Sequence, residues 1–180
     1  MIIISGPSTV GKNPFIYRAC QLYELDYVTP YTTREIRPDE REDIDYRFLT
    51  KNDFQFKIQT GEMTEWDYCL GNYYGYKYSF PGSDAHITHG LSRMALRIKA
   101  KYPQEITTIF LMPSNTDKIY SNLKQMYSGK SLILREALVD EELCHSVLFD
   151  KVFIRPDSVF ELLENEEMIR LLKAERGSPY

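Results

Sequence analysis

No apolar stretch in the 180 residues approaches the roughly 20 needed to span a bilayer, and the first apolar run begins at Ile2 with no basic leader. The expectation is a cytoplasmic protein with no membrane partner. Positive charge is not in surplus either. The 22 Lys and Arg face 26 Asp and Glu, a net charge of -4, so no general field draws the chain to nucleic acid and phosphate recognition must be local. Cys20, Cys69 and Cys144 are too few and too scattered for a disulfide framework or a C-x-x-C zinc site, and are expected as free thiols in a reducing compartment. Internal repeats and low-complexity linkers are absent. What remains, with 43% hydrophobic residues, is enough to bury the core of one compact domain without staples.

The pattern of the apolar residues gives the fold class. Met1 to Ser5 is a β-branched run suited to a strand buried on both faces, followed by a glycine loop and an amphipathic stretch from Phe15 to Tyr23. Ile106 to Met112 and Lys151 to Ile154 are further strands. Each precedes a helix start, Ser114 or Asn115 before IYSNLKQMY and Asp157 before VFELLENEEMIRLLK, the latter read as one core-facing helix to Arg176. Strands alternating with helices predict an α/β fold with a parallel sheet flanked by helices. Residues 31 to 80 differ. They hold strand-like pieces (YRFL, MTEWDY, YKYSF), a helix from Asn52 to Thr60 capped by Thr50 and Asp53 and stopped by Gly61, and many tyrosines. That composition predicts a small α+β lobe inserted into the core.

The stretch GPSTVGKNP, from Gly6 to Pro14, lies one residue from the phosphate-cradling pattern G-x-x-x-x-G-K-[ST]. Loop N-H groups at a helix N-terminus, together with a lysine, hold the phosphates of a nucleotide. Gly6, Pro7, Ser8, Thr9, Val10, Gly11, Lys12 and Asn13 are therefore the expected ATP-binding residues. Position 13 normally carries the hydroxyl that ligates Mg2+. Asn13 offers a neutral amide oxygen, so the ion is expected to be held mainly by the nucleotide and water. Pro14 is tolerated in a first helical turn but removes one N-H. His86 and His89, three apart on a strand, fall on opposite faces and are expected to pack rather than bind metal.

Two features of the lobe suit a phosphorylated base. Arg34 and Arg37, followed by an acidic loop and Tyr46, make a phosphate clamp of two guanidinium forks and a phenol. Downstream, Glu65 beside Trp66 precedes GNYYG, read as a turn; a carboxylate in an aromatic setting accepts two parallel hydrogen bonds from a guanine edge.

The order of these motifs resembles the guanylate kinase family: GPSTVGK, TTREIR, D-Y-x-F at Asp45 to Phe48, E-W at Glu65 and Trp66, and GNYYG at 71 to 75. FDKVFI at 149 to 154 is similar to that family's last strand. The resemblance implies a core (1–30, 84–123 and 145–180), a monophosphate-binding lobe (31–83) and a lid (124–144). It implies that Arg34, Arg37, Tyr46, Tyr74 and Gly75 hold GMP with Glu65 reading the base, and that Lys12, Arg34 and Arg135 are catalytic, with Mg2+ accompanying ATP. The departures are Asn13 and Pro14, Pro30 and Tyr76 where small hydroxyl residues are expected near the base, no clear helix after GNYYG, Asp84 as the nearest carboxylate in SDAHITHG, and a lid with one arginine, Arg135, beside Lys130. The expected function is ATP-dependent phosphorylation of GMP at a reduced rate, by a monomer or homodimer that binds no nucleic acid. The alternatives are a kinase for another nucleoside monophosphate and a non-catalytic nucleotide-binding or interaction module.

Overall fold

The computed structural model describes residues 1–38, 40–77, 85–156 and 158–174. In chain order the elements are β1 (Ile2–Ser5), α1 (Lys12–Tyr23), β2 (Asp26–Tyr27), β3 (Tyr31–Thr32), β4 (Arg47–Phe48), α2 (Lys51–Gln59), β5 (Glu65–Cys69), β6 (Asn72–Tyr76), β7 (His86–His89), α3 (Ser92–Lys101), β8 (Thr107–Pro113), α4 (Thr116–Met126), α5 (Gly129–His145), β9 (Lys151–Arg155), α6 (Val159–Leu163) and α7 (Glu166–Ala174). They divide into two compact units, one of residues Met1–Tyr27 and Ser83–Tyr180, the other of Val28–Gly82.

The first unit is built on a five-stranded sheet in the order β2-β7-β1-β8-β9, with every pairing parallel. β1 is central. Its Ile2, Ile3 and Ile4 are fully buried, as β-branched residues covered on both faces should be, and each contributes about 1.5–3 kcal/mol of burial. α1 lays Phe15, Ile16 and Ala19 on the core, and Leu162, Leu163, Met168 and Leu172 close it from the C-terminal helices. The single helix expected from Asp157 to Arg176 is instead two among the described residues. Asn165 breaks it, because its Oδ1 accepts the Met168 N-H at 3.1 Å and so caps a new helix, α7. Asp157, Arg176 and Asp84 lie outside the described residues. The stretch expected as a lid forms the end of α4 and most of α5, whose Val139, Leu132 and Leu143 pack with Ile119 and Leu123 of α4.

The second unit is a four-stranded sheet, β4-β3-β6-β5, with α2 on one face. The Thr50 cap forms as expected, its side chain accepting the Asp53 N-H at 3.1 Å. GNYYG is not a turn. The reversal lies at Leu70 and Gly71, both at positive φ (49° and 84°), a pair of left-handed residues that matches the twist of a tight hairpin, and Asn72 to Tyr76 are strand β6. Register decides the faces. Glu65, Asp67 and Cys69 stand opposite Tyr76, Tyr74 and Asn72, whereas Trp66 stands opposite Gly75 and Tyr68 opposite Tyr73. Alternation thus turns Tyr73 and the Gly75 position toward α2, where Phe54 stacks on Tyr73 at 5.2 Å, and turns Glu65, Tyr74 and Tyr76 the other way.

Candidate active site

The loop after β1 is held open by its two glycines. A Cβ at Gly6 (φ 146°) would lie 2.5 Å from the Leu111 carbonyl oxygen, and Gly11 (φ 90°) is the N-cap of α1. Val10, 2% exposed, pins the middle of the loop into the core. Among the described residues no side chain caps this helix N-terminus and its first turn carries no acidic residue, so the positive end of α1 suits an anion. Lys12 Nζ lies over the loop, donating to the carbonyls of Gly6 at 2.6 Å and Pro7 at 3.0 Å. Gly6 to Asn13 are therefore together at the end of a central parallel strand, where ligands bind in open α/β sheets. Arg135, in α5, lies flat over the Tyr127 ring, its Cζ 3.8 Å from the centroid.

One carboxylate in this unit was not visible in the sequence. Glu142 of α5 is buried and its Oε1 accepts from the Ser92 N-H at 2.9 Å and the Ser92 hydroxyl at 3.1 Å, which in turn lies 2.7 Å from His145 Nδ1. Its Oε2 is buried without a hydrogen bond among the described residues. Burial pushes this carboxyl above its ordinary range, against the Ser92 hydrogen bonds and the charge of Lys12. His89 is buried and bonds the Tyr27 hydroxyl at 2.8 Å through Nδ1, a packing role. Among the described residues no cluster of three or more His, Cys, Asp or Glu side chains is placed to hold a metal ion.

In the second unit the face away from α2 gathers the polar candidates. Tyr46 and Tyr74 meet edge to face at 6.3 Å, and the Arg34 guanidinium lies 5.4 Å from the Tyr46 centroid and 5.7 Å from that of Phe48. Thr32 orients this arginine from below, its hydroxyl accepting the Arg34 N-H at 3.1 Å. Glu40 ties the group together. Its carboxylate accepts both Arg34 Nη atoms, at 2.7 and 2.9 Å, and the Arg37 N-H at 2.9 Å, and it lies 3.8 Å from Arg37 Nη1. Burial opposes charge on both Arg34 and Glu40, but their mutual hydrogen bonds prevail. Arg34 is held above its ordinary value and Glu40 below the usual carboxylate range. Burial, with the Tyr74 phenol second, pushes Tyr46 well above 10.

The sequence marked Glu40 only as part of an acidic loop; the signal was its place three residues after Arg37 and six after Arg34. Glu65 is buried on the same sheet face, directly opposite Tyr76, which is also buried. Gly75 is different: a Cβ there would meet the Glu65 carbonyl oxygen and Phe54 at 2.9 Å and Met63 at 3.0 Å, so its side-chain position faces α2 and serves packing.

A model of the guanylate kinase family matches residues 1–81. The guanylate kinases of Streptococcus pyogenes serotypes M3 and M18 are each 28% identical over 182 residues, spanning 92% of this chain and 85% of theirs. The chain is similar to the guanylate kinases over most of its length. The fold is shared with the crystal structure of guanylate kinase from Anaplasma phagocytophilum, at a TM-score of 0.76 and 20% identity, covering 99% of this chain and 87% of that one. The family model ends near the boundary of the second unit, so its match spans the phosphate loop and the four-stranded sheet. The helical part beyond it is matched by the full-length relatives.

Proposed function

We propose that the protein transfers the terminal phosphoryl group of ATP to GMP. The observation that carries this reading is the single face of the four-stranded sheet on which Arg34, Tyr46, Tyr74 and Glu65 stand, two of them suited to phosphate oxygens by hydroxyl donation, one by a guanidinium fork, and one to a guanine edge. Lys12 and the N-H groups from Gly6 to Asn13 hold the ATP phosphates. Arg34 and Arg37 bind the acceptor's phosphate, and Arg135 offsets charge developing on the transferred group once it leaves the Tyr127 ring.

The donor set of the loop fits a metal carried in on the nucleotide. Asn13 supplies one neutral oxygen at the start of α1, and no acidic cluster competes for the ion among the described residues. Bound there, Mg2+ would neutralise phosphate charge during transfer. The remaining catalysis is positioning by this chain's own side chains.

A second reading, a kinase for another nucleoside monophosphate, draws on Tyr76. Its buried ring stands opposite Glu65, on the face where the base is read. A panel of GMP, AMP, CMP and UMP with ATP and Mg2+ separates the two. GMP should give the highest kcat/KM, and Glu65→Gln should erode that preference. A higher kcat/KM for another base would establish the second reading, and no phosphorylation with any of them would leave a nucleotide-binding module.

A further inference from the structure

We propose that Arg155 is a phosphate-positioning residue of the nucleotide site, a cation fixed on the sheet rather than on the lid; the inference rests on the loop binding an adenine nucleotide, as proposed above. Arg155 is the last residue of β9, at the same C-terminal end of the parallel sheet as the phosphate loop. Its guanidinium lies directly on Gly11. A Cβ there would come within 2.7 Å of its Nε and 3.1 Å of its Cζ and Nη2, so Gly11 provides room for this arginine as well as the turn into α1. The Nε is buried and has no hydrogen-bond partner among the described residues. Beside it opens a cavity of about 130 Å³ lined by Thr9 and Val10 of the loop, Ser114 after β8, and Lys118 and Asn122 of α4.

These observations meet in one arrangement. A planar cation packs against the glycine that begins the anion-binding helix terminus, and it fronts a cavity whose lining is mostly polar and carries a second cation, Lys118. A guanidinium so placed matches two oxygens of a polyphosphate, whereas the lysine of the loop acts as a point charge. It also answers a shortage in the sequence. The lid offers one arginine, Arg135, and that one is laid on Tyr127, while Arg155 is carried by a strand of the core and needs no closure to reach its place. The cavity takes the nucleoside, and Arg155 takes the phosphates next to it.

The test measures displacement of a fluorescent ADP analogue by ADP and by inorganic tripolyphosphate, in the parent, Arg155→Gln and Arg155→Lys. Losing a charge-assisted bidentate contact should weaken ADP and tripolyphosphate alike, by about tenfold or more in Arg155→Gln. Arg155→Lys should recover part of the loss for both. Melting curves without ligand establish that the variants are folded; should Arg155→Gln not fold, Arg155→Lys alone must still weaken both ligands. Weaker ADP with unchanged tripolyphosphate would assign Arg155 to the nucleoside and overturn the proposal, as would unchanged affinity for both. A parent that binds no adenine nucleotide would instead overturn the kinase reading on which the inference rests.

Discussion

Replacing Glu40 by glutamine separates two effects that a phosphate clamp combines. In the free protein the Glu40 carboxylate is the counter-charge of Arg34, in a two-pronged pair whose side chains are only 14% and 8% exposed. Removing one partner of a fully buried pair costs about 3–5 kcal/mol, and an exposed pair about 0–1. The partial burial here places Glu40→Gln near 2 kcal/mol, a fall of several degrees in Tm for a chain of this size. Glu40 is held below its ordinary value of 4.5, so its stabilisation is present above about pH 4.5 and fades as pH falls through the lowered value. The difference between parent and variant should therefore shrink in acid. Binding should move the opposite way. The ligand's phosphate must win Arg34 from Glu40 in the parent but finds a guanidinium without its counter-charge in the variant. If half of the 2 kcal/mol is recovered on binding, GMP should bind about fivefold tighter to Glu40→Gln. Calorimetric titration with GMP, and thermal melts from pH 8 down to about pH 2.5, provide the assay. A variant as stable as the parent at neutral pH, or one that binds GMP more weakly, would refute the idea that Glu40 holds the clamp in competition with phosphate.

Three further outcomes are expected. Gly75→Ala should lower stability by about 1–3 kcal/mol by forcing a methyl against the Glu65 carbonyl oxygen and the Phe54 ring, measured by denaturant melts. Glu142 is raised above its ordinary value by burial, so its contribution is largest below pH 4.5 and is lost as pH rises through the raised value; Glu142→Gln should flatten that decline, so that its Tm relative to the parent improves between pH 4 and 8. Asn13→Ser with Pro14→Thr should raise kcat more than it tightens ATP, because a metal ligand contributes more as charge develops in the transition state; steady-state kinetics showing an equal or smaller gain in kcat would contradict it.

Much of the architecture was legible because it depends on local chemistry. The Ile2–Ile4 run, the loop glycines and the Thr50 cap each specify their own conformation, and the structure follows all three. The errors fall where local signals compete. Asn165 in the midst of a helical pattern was outvoted by the leucines around it, yet its side chain captured the Met168 N-H and started a new helix. In GNYYG the two glycines suggested a turn, but the left-handed residues are Leu70 and Gly71, and the tyrosines extend. The face of each candidate residue was legible only once register was known: Gly75 and Tyr74 are neighbours in sequence and point to opposite sides of the sheet. Glu40, Glu142 and Arg155 went unseen. Glu142 and Arg155 are defined by partners brought in by the fold, Ser92 and Gly11, while Glu40 carried a local signal in its spacing from Arg34 and Arg37 that an acidic loop obscured.

The central claim is that the phosphoryl group passes from ATP to GMP on this chain, and phosphorus NMR of the protein with ATP, Mg2+ and GMP observes it directly. For each γ phosphorus of ATP lost, two diphosphate β signals should appear, one of ADP and one of GDP, while one GMP signal disappears, and all three changes should stop in Lys12→Ala. ATP unchanged with GMP bound, or ATP consumed with only inorganic phosphate appearing, would contradict it.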